Sequence, residues 1–435
     1  MKLNLQVLGC PKNDADMSNF RGIMSERGHE FVDNPLNSDV VVIDTCGFIE
    51  AAKLESIESI LSYAQLKERN PALKVVAVGC LVQRYFNDLK KEIPEIDGLI
   101  SVTSPKRLAD LIEKGELWVH DQPEAVYEFT SRCDALPYAF VKVGDGCDRA
   151  CAFCSIPSFK GRSRSRHVED VFNEVRTLVS KGTKEIVLVS QDTTQYGLDI
   201  YGKQALPELL EAIDRIPQDF WVRVMYLHPD HLTSRVIDAI GSSEHTLPYY
   251  DVPVQSGSDR ILSGMDRTRN SSELVSLFGG IRRRIPEAVI RTTLMVGFPG
   301  ETRESFEQSL EFVKAVGFNW LGGFVYSPEE GTTAFSRKVT MSRERAQNYL
   351  NELLLEQDEI SHLLNLRHVG KHKKALIDER VGGVLVGRLY DCAPEIDGSV
   401  ILSGNASIGD FVNCTITAAE VHDTRGVVNA DAKSA

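Results

Sequence analysis

Six of the nine cysteines fall into two groups of three, one by its close spacing and one by its positions after apolar runs, and both suggest metal chemistry. In the run Gly146-Cys147-Asp148-Arg149-Ala150-Cys151-Ala152-Phe153-Cys154, three thiols share one short loop with the spacing C-x3-C-x2-C, directly after a predicted strand. A cubane 4Fe-4S cluster ordinarily takes four cysteine ligands, so a loop that supplies three leaves one iron open to another ligand. Structural zinc is the alternative, but it requires four tetrahedral ligands, and no fourth Cys or His stands at a usual spacing. His167 lies beyond Lys160, Arg162, Arg164 and Arg166 and reads as a helix-start residue.

The second group is Cys10, Cys46 and Cys80, each closing an apolar run: Leu5-Gln6-Val7-Leu8-Gly9-Cys10, Val41-Val42-Ile43-Asp44-Thr45-Cys46 and Val75-Val76-Ala77-Val78-Gly79-Cys80. In a parallel α/β sheet the carboxyl ends of the strands share one edge, so three cysteines at equivalent strand ends converge despite their separation in sequence. Gly9 and Gly79 permit the close backbone approach that a bulky cluster requires. Buried free cysteines packing as small hydrophobes are the alternative. Cys133, Cys392 and Cys414 stand apart, and an odd total in a long chain argues against a disulfide framework.

The elements that must position these thiols divide 435 residues into three domains. Residues 1–117 alternate strands (Leu3–Leu8, Val40–Asp44, Lys74–Gly79) with helices near 14–28, 50–68 and 82–92, a parallel α/β pattern. Residues 118–136 lack sustained periodicity and read as a connector. The second domain, 133–365, holds six strand candidates: Tyr138–Val143, Glu185–Val189, Trp221–Tyr226, Tyr249–Val254, Val289–Val296 and Leu321–Tyr326. Six βα units predict a partial (βα)6 barrel with its chemistry at the carboxyl ends of the strands. A helix over 342–366 leads to the third domain, 366–432, whose short strands and turns at Gly382-Gly383, Asp397-Gly398 and Gly404-Asn405 predict a small antiparallel β-barrel. With 42% hydrophobic and 26% charged residues, and no apolar run near the about 18 residues that span a bilayer, no membrane association is expected. The start of the chain lacks a signal core, so a cytoplasmic location is expected. A net charge of −13 disfavours broad attraction to nucleic acid.

With both triads placed, the chain resembles, over nearly its whole length, the methylthiotransferase family of radical SAM enzymes: an N-terminal cluster domain, a radical SAM core and a TRAM domain. The cysteine loop with Phe153 before its last cysteine resembles the radical S-adenosylmethionine motif. Ser190 to Gly197, Pro253 to Ser258 and Arg291 to Thr302 also resemble stretches of the family. The resemblance implies two 4Fe-4S clusters, one on Cys10, Cys46 and Cys80 and one, binding SAM, on Cys147, Cys151 and Cys154. It places Phe153 near the SAM adenine, Gln191 near its amino group, and Gly297, Gly300 and Glu301 near its adenosine part. For the two glycines an ordinary connector turn is the alternative. Reductive cleavage of SAM to a 5'-deoxyadenosyl radical, hydrogen abstraction from the substrate, sulfur carried by the N-terminal cluster and a methyl group from a second SAM are the implied chemistry. An electron donor such as flavodoxin or ferredoxin is implied with it.

The family's branches modify either an aspartate of the small-subunit ribosomal protein uS12, the RimO type, or adenosine in tRNA. Ile156-Pro157-Ser158 after the last core cysteine resembles the first branch. Residues 368–425 hold six Lys or Arg against eight Asp or Glu, whereas an RNA-gripping barrel should carry a basic stripe. Ala393 to Gly398 also resembles that branch, and Glu395 and Asp397 are expected to dock a basic ribosomal protein. A plain solvated turn is the alternative. The run Lys160 to Arg166 discriminates neither branch.

Overall fold

A computed structural model describes residues 1–123, 129–132 and 137–429. Its first domain is a parallel sheet of β1 (Lys2–Val7), β2 (Glu30–Phe31), β3 (Val40–Thr45), β4 (Lys74–Gly79), β5 (Gly98–Ile100) and β6 (Trp118–Val119), ordered β2-β1-β3-β4-β5-β6. All six residues of β3 are buried, as expected for a strand covered by helices on both faces. The chain first steps from β1 outward to β2 and then returns to β3 on the other side of β1, so β1 and β3 flank the topological switch point. The expected connector at 118–136 begins later than predicted, because Trp118–Val119 pairs in parallel with β5. Cys133 and the proposed starts and ends at 133 and 430–432 lie outside the described residues.

The second domain contains β7 (Tyr138–Lys142), the short pair β8 (Gly144–Asp145) and β9 (Arg164–Ser165), then β10 (Glu185–Val189), β11 (Trp221–Val224), β12 (Tyr249–Asp251), β13 (Val289–Val296) and β14 (Trp320–Val325). The six long strands form two parallel sheets, β11-β10-β7 and β12-β13-β14, linked by a bridge between Val222 and Thr246. β11 stops before its predicted end at Tyr226, where the backbone turns to a φ of 61°. β7 and β14 are the outer strands of this half-barrel, and the first domain spans the gap between them. Helix Pro11–Glu26 places Ala15 in one apolar cluster with Phe140, Trp221, Tyr249 and Trp320, and its Asp16 meets Lys142 of β7 at 2.6 Å. On the other side Lys53 and Arg84 both reach Glu329, beyond β14, at 2.9 Å.

Helix Arg343–Leu366, capped by the Ser342 hydroxyl, leads to β15 (His372–Val381), β16 (Val384–Leu389), β17 (Val400–Ser403), β18 (Phe411–Ala419) and β19 (Thr424–Val428). These close into a barrel ordered β15-β16-β17-β19-β18. Four of its ladders are antiparallel as predicted; β17 and β19 run parallel, because β18 crosses to β15 before the chain returns.

The loop from Tyr390 to Gly398 inserts at the start of the half-barrel strands. Arg223 donates to the carbonyls of Tyr390 (3.1 Å) and Cys392 (3.0 Å), and Trp320 Nε1 donates to that of Asp391 (2.6 Å). Glu185 is buried between Arg223 (2.8 Å) and Arg388; burial alone would raise its carboxyl, but the two guanidiniums hold it below the ordinary range. This placement corrects the expectation for Asp397. Its side chain is 1% exposed, accepts from Tyr249 Oη (2.5 Å) and Ala393 N–H (2.9 Å), and faces Arg291 at 3.4 Å, so it anchors the third domain and cannot meet a partner. Glu395 remains exposed and accepts from Tyr138 Oη at 2.8 Å.

Candidate active site

The strand ends of the first domain and the half-barrel enclose a cavity of about 360 Å³, and all six of Cys10, Cys46, Cys80, Cys147, Cys151 and Cys154 line it. Local backbone explains how each arrives. Gly9 has a φ of +113°, and a Cβ there would stand 3.0 Å from Cys46 Cβ, so the approach to Cys10 requires a glycine. Cys46 follows β3 and is clamped by the buried Ser56, which accepts from its N–H (3.0 Å) and donates to its carbonyl (3.2 Å). Cys80 opens the helix that follows β4. In the other triad, Gly146 (φ +76°) passes so close to Arg162 that a Cβ would lie 2.1 Å from its carbonyl oxygen. The loop is then fixed by Cys147 N–H to Gly161 O (3.1 Å), Ala152 N–H to Met265 O (3.1 Å) and Ala334 N–H to Ala152 O (2.7 Å).

Burial pushes the thiols of Cys46 and Cys147 up to about 11, that of Cys154 up to about 12 and that of Cys80 higher still. Neighbouring cysteines within each triad add to the rise. Ligation requires thiolates, so the positive charge of bound iron must replace the missing water. Among the described residues no three His, Cys, Asp or Glu side chains converge on one point as the ligands of a single ion would. Thiolates that bind different irons of a many-atom cluster stand further apart than the ligands of a single ion.

The walls also fit the amino-acid end of SAM. Gln191 donates from Nε2 to Asp145 at 2.6 Å, while its buried Oε1 has no donor; Gln255 Oε1 and Arg149 Nη2 are likewise buried and unsatisfied. Buried polar atoms are nearly always paired, so these three lining residues mark the place of a polar ligand. An unsatisfied amide oxygen matches an ammonium and a guanidinium nitrogen matches a carboxylate. Two of the four described non-glycine residues with positive φ, Tyr226 (61°) and Gln255 (74°), line the same cavity, as strained backbone does at ligand sites.

Phe153 lines the cavity, with the Arg267 guanidinium 5.8 Å from its ring. Gly297, Gly300 and Glu301, expected near the adenosine part of SAM, are not among the residues that line the cavity. Their turn carries Phe298 into the apolar cluster behind Phe153, and Glu301 accepts from Gly297 N–H, its carboxyl pushed by burial up to about 7. The turn therefore supports the cysteine loop from behind. Sequence reasoning missed Lys12, Tyr226, His228, Gln255 and Arg267, all of which line the cavity. Tyr226, His228 and Gln255 follow barrel strands, the address that could have found them. Burial and Arg267, which donates to Nε2 at 2.5 Å, push His228 down to about 3, so this ring is neutral.

Three sequence profiles match the chain: Uncharacterized protein family UPF0004 over residues 2–101, the Radical SAM superfamily over 141–313 and the TRAM domain over 369–428. The ribosomal protein uS12 methylthiotransferase RimO of Thermotoga maritima is 51% identical over 430 residues, covering 98% of this chain and 100% of that protein. The protein of the same name from Fervidobacterium nodosum is 51% identical over 427 residues, covering 98% of each. Among solved structures, the radical S-adenosylmethionine methyltransferase TsrM of Kitasatospora setae, with cobalamin and a [4Fe-4S] cluster bound, superposes with a TM-score of 0.57 at 14% identity, covering 77% of this chain and 74% of that one. The cobalamin-dependent radical enzyme OxsB gives 0.52 at 12% identity, covering 82% and 56%. At such identities these two similarities concern the fold alone.

Proposed function

The chain belongs to the ribosomal protein uS12 methylthiotransferase family of radical SAM enzymes, and on that premise we propose that it inserts a methylthio group at the β-carbon of an aspartate of uS12. The observation that carries the reading is the single cavity lined by both cysteine triads. One 4Fe-4S cluster belongs to Cys10, Cys46 and Cys80, and a second, with SAM, to Cys147, Cys151 and Cys154. When bound, these groups supply the reducing electron, the 5'-deoxyadenosyl radical, the sulfur and the methyl group.

The protein's own contribution is binding, orientation and exclusion of water. Gln191 Oε1 would accept from the SAM ammonium, Arg149 would pair with its carboxylate and Phe153 would border its adenine. Phe48, Ile156, Phe159, Pro253 and Phe324 give the cavity apolar walls, which keep water and stray hydrogen donors from a reactive carbon. Asp16–Lys142 on one side and Glu329 with Lys53 and Arg84 on the other fix the two domains, and so the two triads, in register. Among the described residues no helix is long and apolar enough to cross a membrane. We place the protein in the cytoplasm, with its electrons drawn from a flavodoxin or ferredoxin, and keep exposed Glu395 as a candidate contact for a basic partner.

The test is anaerobic reconstitution with iron and sulfide, then incubation with SAM, a reductant and either purified uS12 or unmodified tRNA. Mass spectrometry should find replacement of H by SCH3 in uS12 and none in tRNA. Methylthiolated tRNA with unchanged uS12 would reject the substrate assignment.

A further inference from the structure

One cation on the cavity wall is held against an aromatic ring rather than against a carboxylate. Lys12 is buried, lines the cavity and holds its ammonium 3.9 Å from the centroid of the Tyr226 ring. Among the described residues it makes no ion pair. Of the other cations on the same wall, Lys160 is paired with Asp145 at 3.1 Å and Arg149 with Asp192 at 3.5 Å, while Arg267 donates to the neutral His228 ring. Its surroundings of charge are Cys10, Asp145, Lys160 and the Tyr226 hydroxyl. A buried ammonium left with an aromatic face has strong residual capacity for an anion. Tyr226 is itself fixed, its N–H donating to Asp251 at 3.0 Å and its carbonyl accepting from Thr193 N–H at 3.0 Å, so the ammonium is held at a defined place on the wall.

We propose that Lys12 is a specificity-determining residue, which receives the side-chain carboxylate of the substrate aspartate beside the first cysteine triad. The inference rests on the function proposed above and adds the group that distinguishes the target from a neutral side chain. Asparagine has nearly the same shape as aspartate but offers no charge, so a site built around an unpaired ammonium should discriminate between them. Position in the chain supports the role: Lys12 stands two residues after Cys10, on the first turn of helix Pro11–Glu26. A substrate group held there is brought to the first triad, where the sulfur is to be transferred.

The experiment measures binding of two probes to anaerobically reconstituted full-length enzyme: uS12, and uS12 whose modified aspartate is replaced by asparagine. Wild type should favour the aspartate form by about tenfold or more, the scale of one charge-assisted contact. Lys12→Gln should bring the ratio to about two or less with iron content unchanged, and Lys12→Arg should restore part of it. A Lys12→Gln enzyme that keeps the wild-type ratio overturns the proposal. So does loss of iron with the ratio preserved in the loaded fraction, since Lys12 would then serve the cluster. If wild type methylthiolates uS12 yet binds both forms alike, this inference falls and the function stands. If uS12 is neither bound nor modified, both fall.

Discussion

Asp397 offers a direct test of how the third domain is held. Replacing it with alanine leaves Tyr249 Oη and the Ala393 N–H without the acceptor each has now, and takes one carboxylate from Arg291, which keeps Asp251 at 3.0 Å. Each orphaned buried donor costs about 1–3 kcal/mol, so the two together should destabilise the protein by about 2–6 kcal/mol. Burial pushes the Asp397 carboxyl above its ordinary range despite Arg291, so the charge itself is not the stabilising element. Asp397→Asn, which keeps one acceptor oxygen and removes the buried charge, should therefore cost only about 1 kcal/mol. Glu395→Gln, at an exposed residue, should stay within about 0.5 kcal/mol. Scanning calorimetry orders the three variants, and hydrogen exchange in the segment 372–389 reports whether the third barrel has loosened. An Asp397→Ala protein that melts with wild type and shows unchanged exchange would refute the anchoring role; slower association with uS12 by that variant without destabilisation would return Asp397 to a docking role.

Cys151→Ala should abolish reductive SAM cleavage, whereas Cys46→Ala should retain it and stop sulfur insertion; equal loss in well-folded forms of both would reject the division of labour between triads. Iron and sulfide after reconstitution should approach about eight of each per chain, and a plateau near four would remove one cluster. Glu329→Ala leaves Lys53 and Arg84 facing each other without their shared carboxylate, so chemical unfolding should register a loss of about 3–5 kcal/mol. Glu301 has its folded carboxyl raised from 4.5 to about 7, so its contribution is fully present below the unfolded value and is lost as pH rises through the folded one. Glu301→Gln should accordingly be more stable than wild type at about pH 8, by up to about 3 kcal/mol, with the gap closing toward about pH 5; an advantage that does not change with pH would contradict this.

The cysteines were legible because chemistry and pattern coincide there: Cys10, Cys46 and Cys80 each follow an apolar run that reads as a strand, a parallel sheet aligns the ends of such runs, and Cys147, Cys151 and Cys154 share one loop at a ligand spacing. The six barrel strands were legible for the same reason. Asp397 was misread because an acidic turn looks alike whether water or an arginine faces it, and Arg291 lies far away in sequence. Gly297 and Gly300 both have positive φ, and their turn seats Phe298, a packing role that the glycine pattern alone does not disclose. Lys12 escaped notice because its place over the Tyr226 ring, with no ion pair among the described residues, is a property of the assembled wall.

Helix Pro11–Glu26 is made early, yet several of its partners are made late. Asp16 waits for Lys142, 126 positions further on, and Asn19 for Glu174, 155 positions further on. During synthesis the first domain therefore emerges with a carboxylate whose ammonium partner is not yet made, while Asn19 holds the Ala15 carbonyl of its own helix but not yet Glu174, and its cysteines face solvent until the half-barrel closes over them. Iron arriving in that interval would meet three thiols on an open edge, unguarded against oxygen. Maturation of the first metal centre is thereby tied to completion of the second domain, and expression conditions that stall or truncate the nascent chain after the first domain should yield protein poor in iron even when the triad itself is intact.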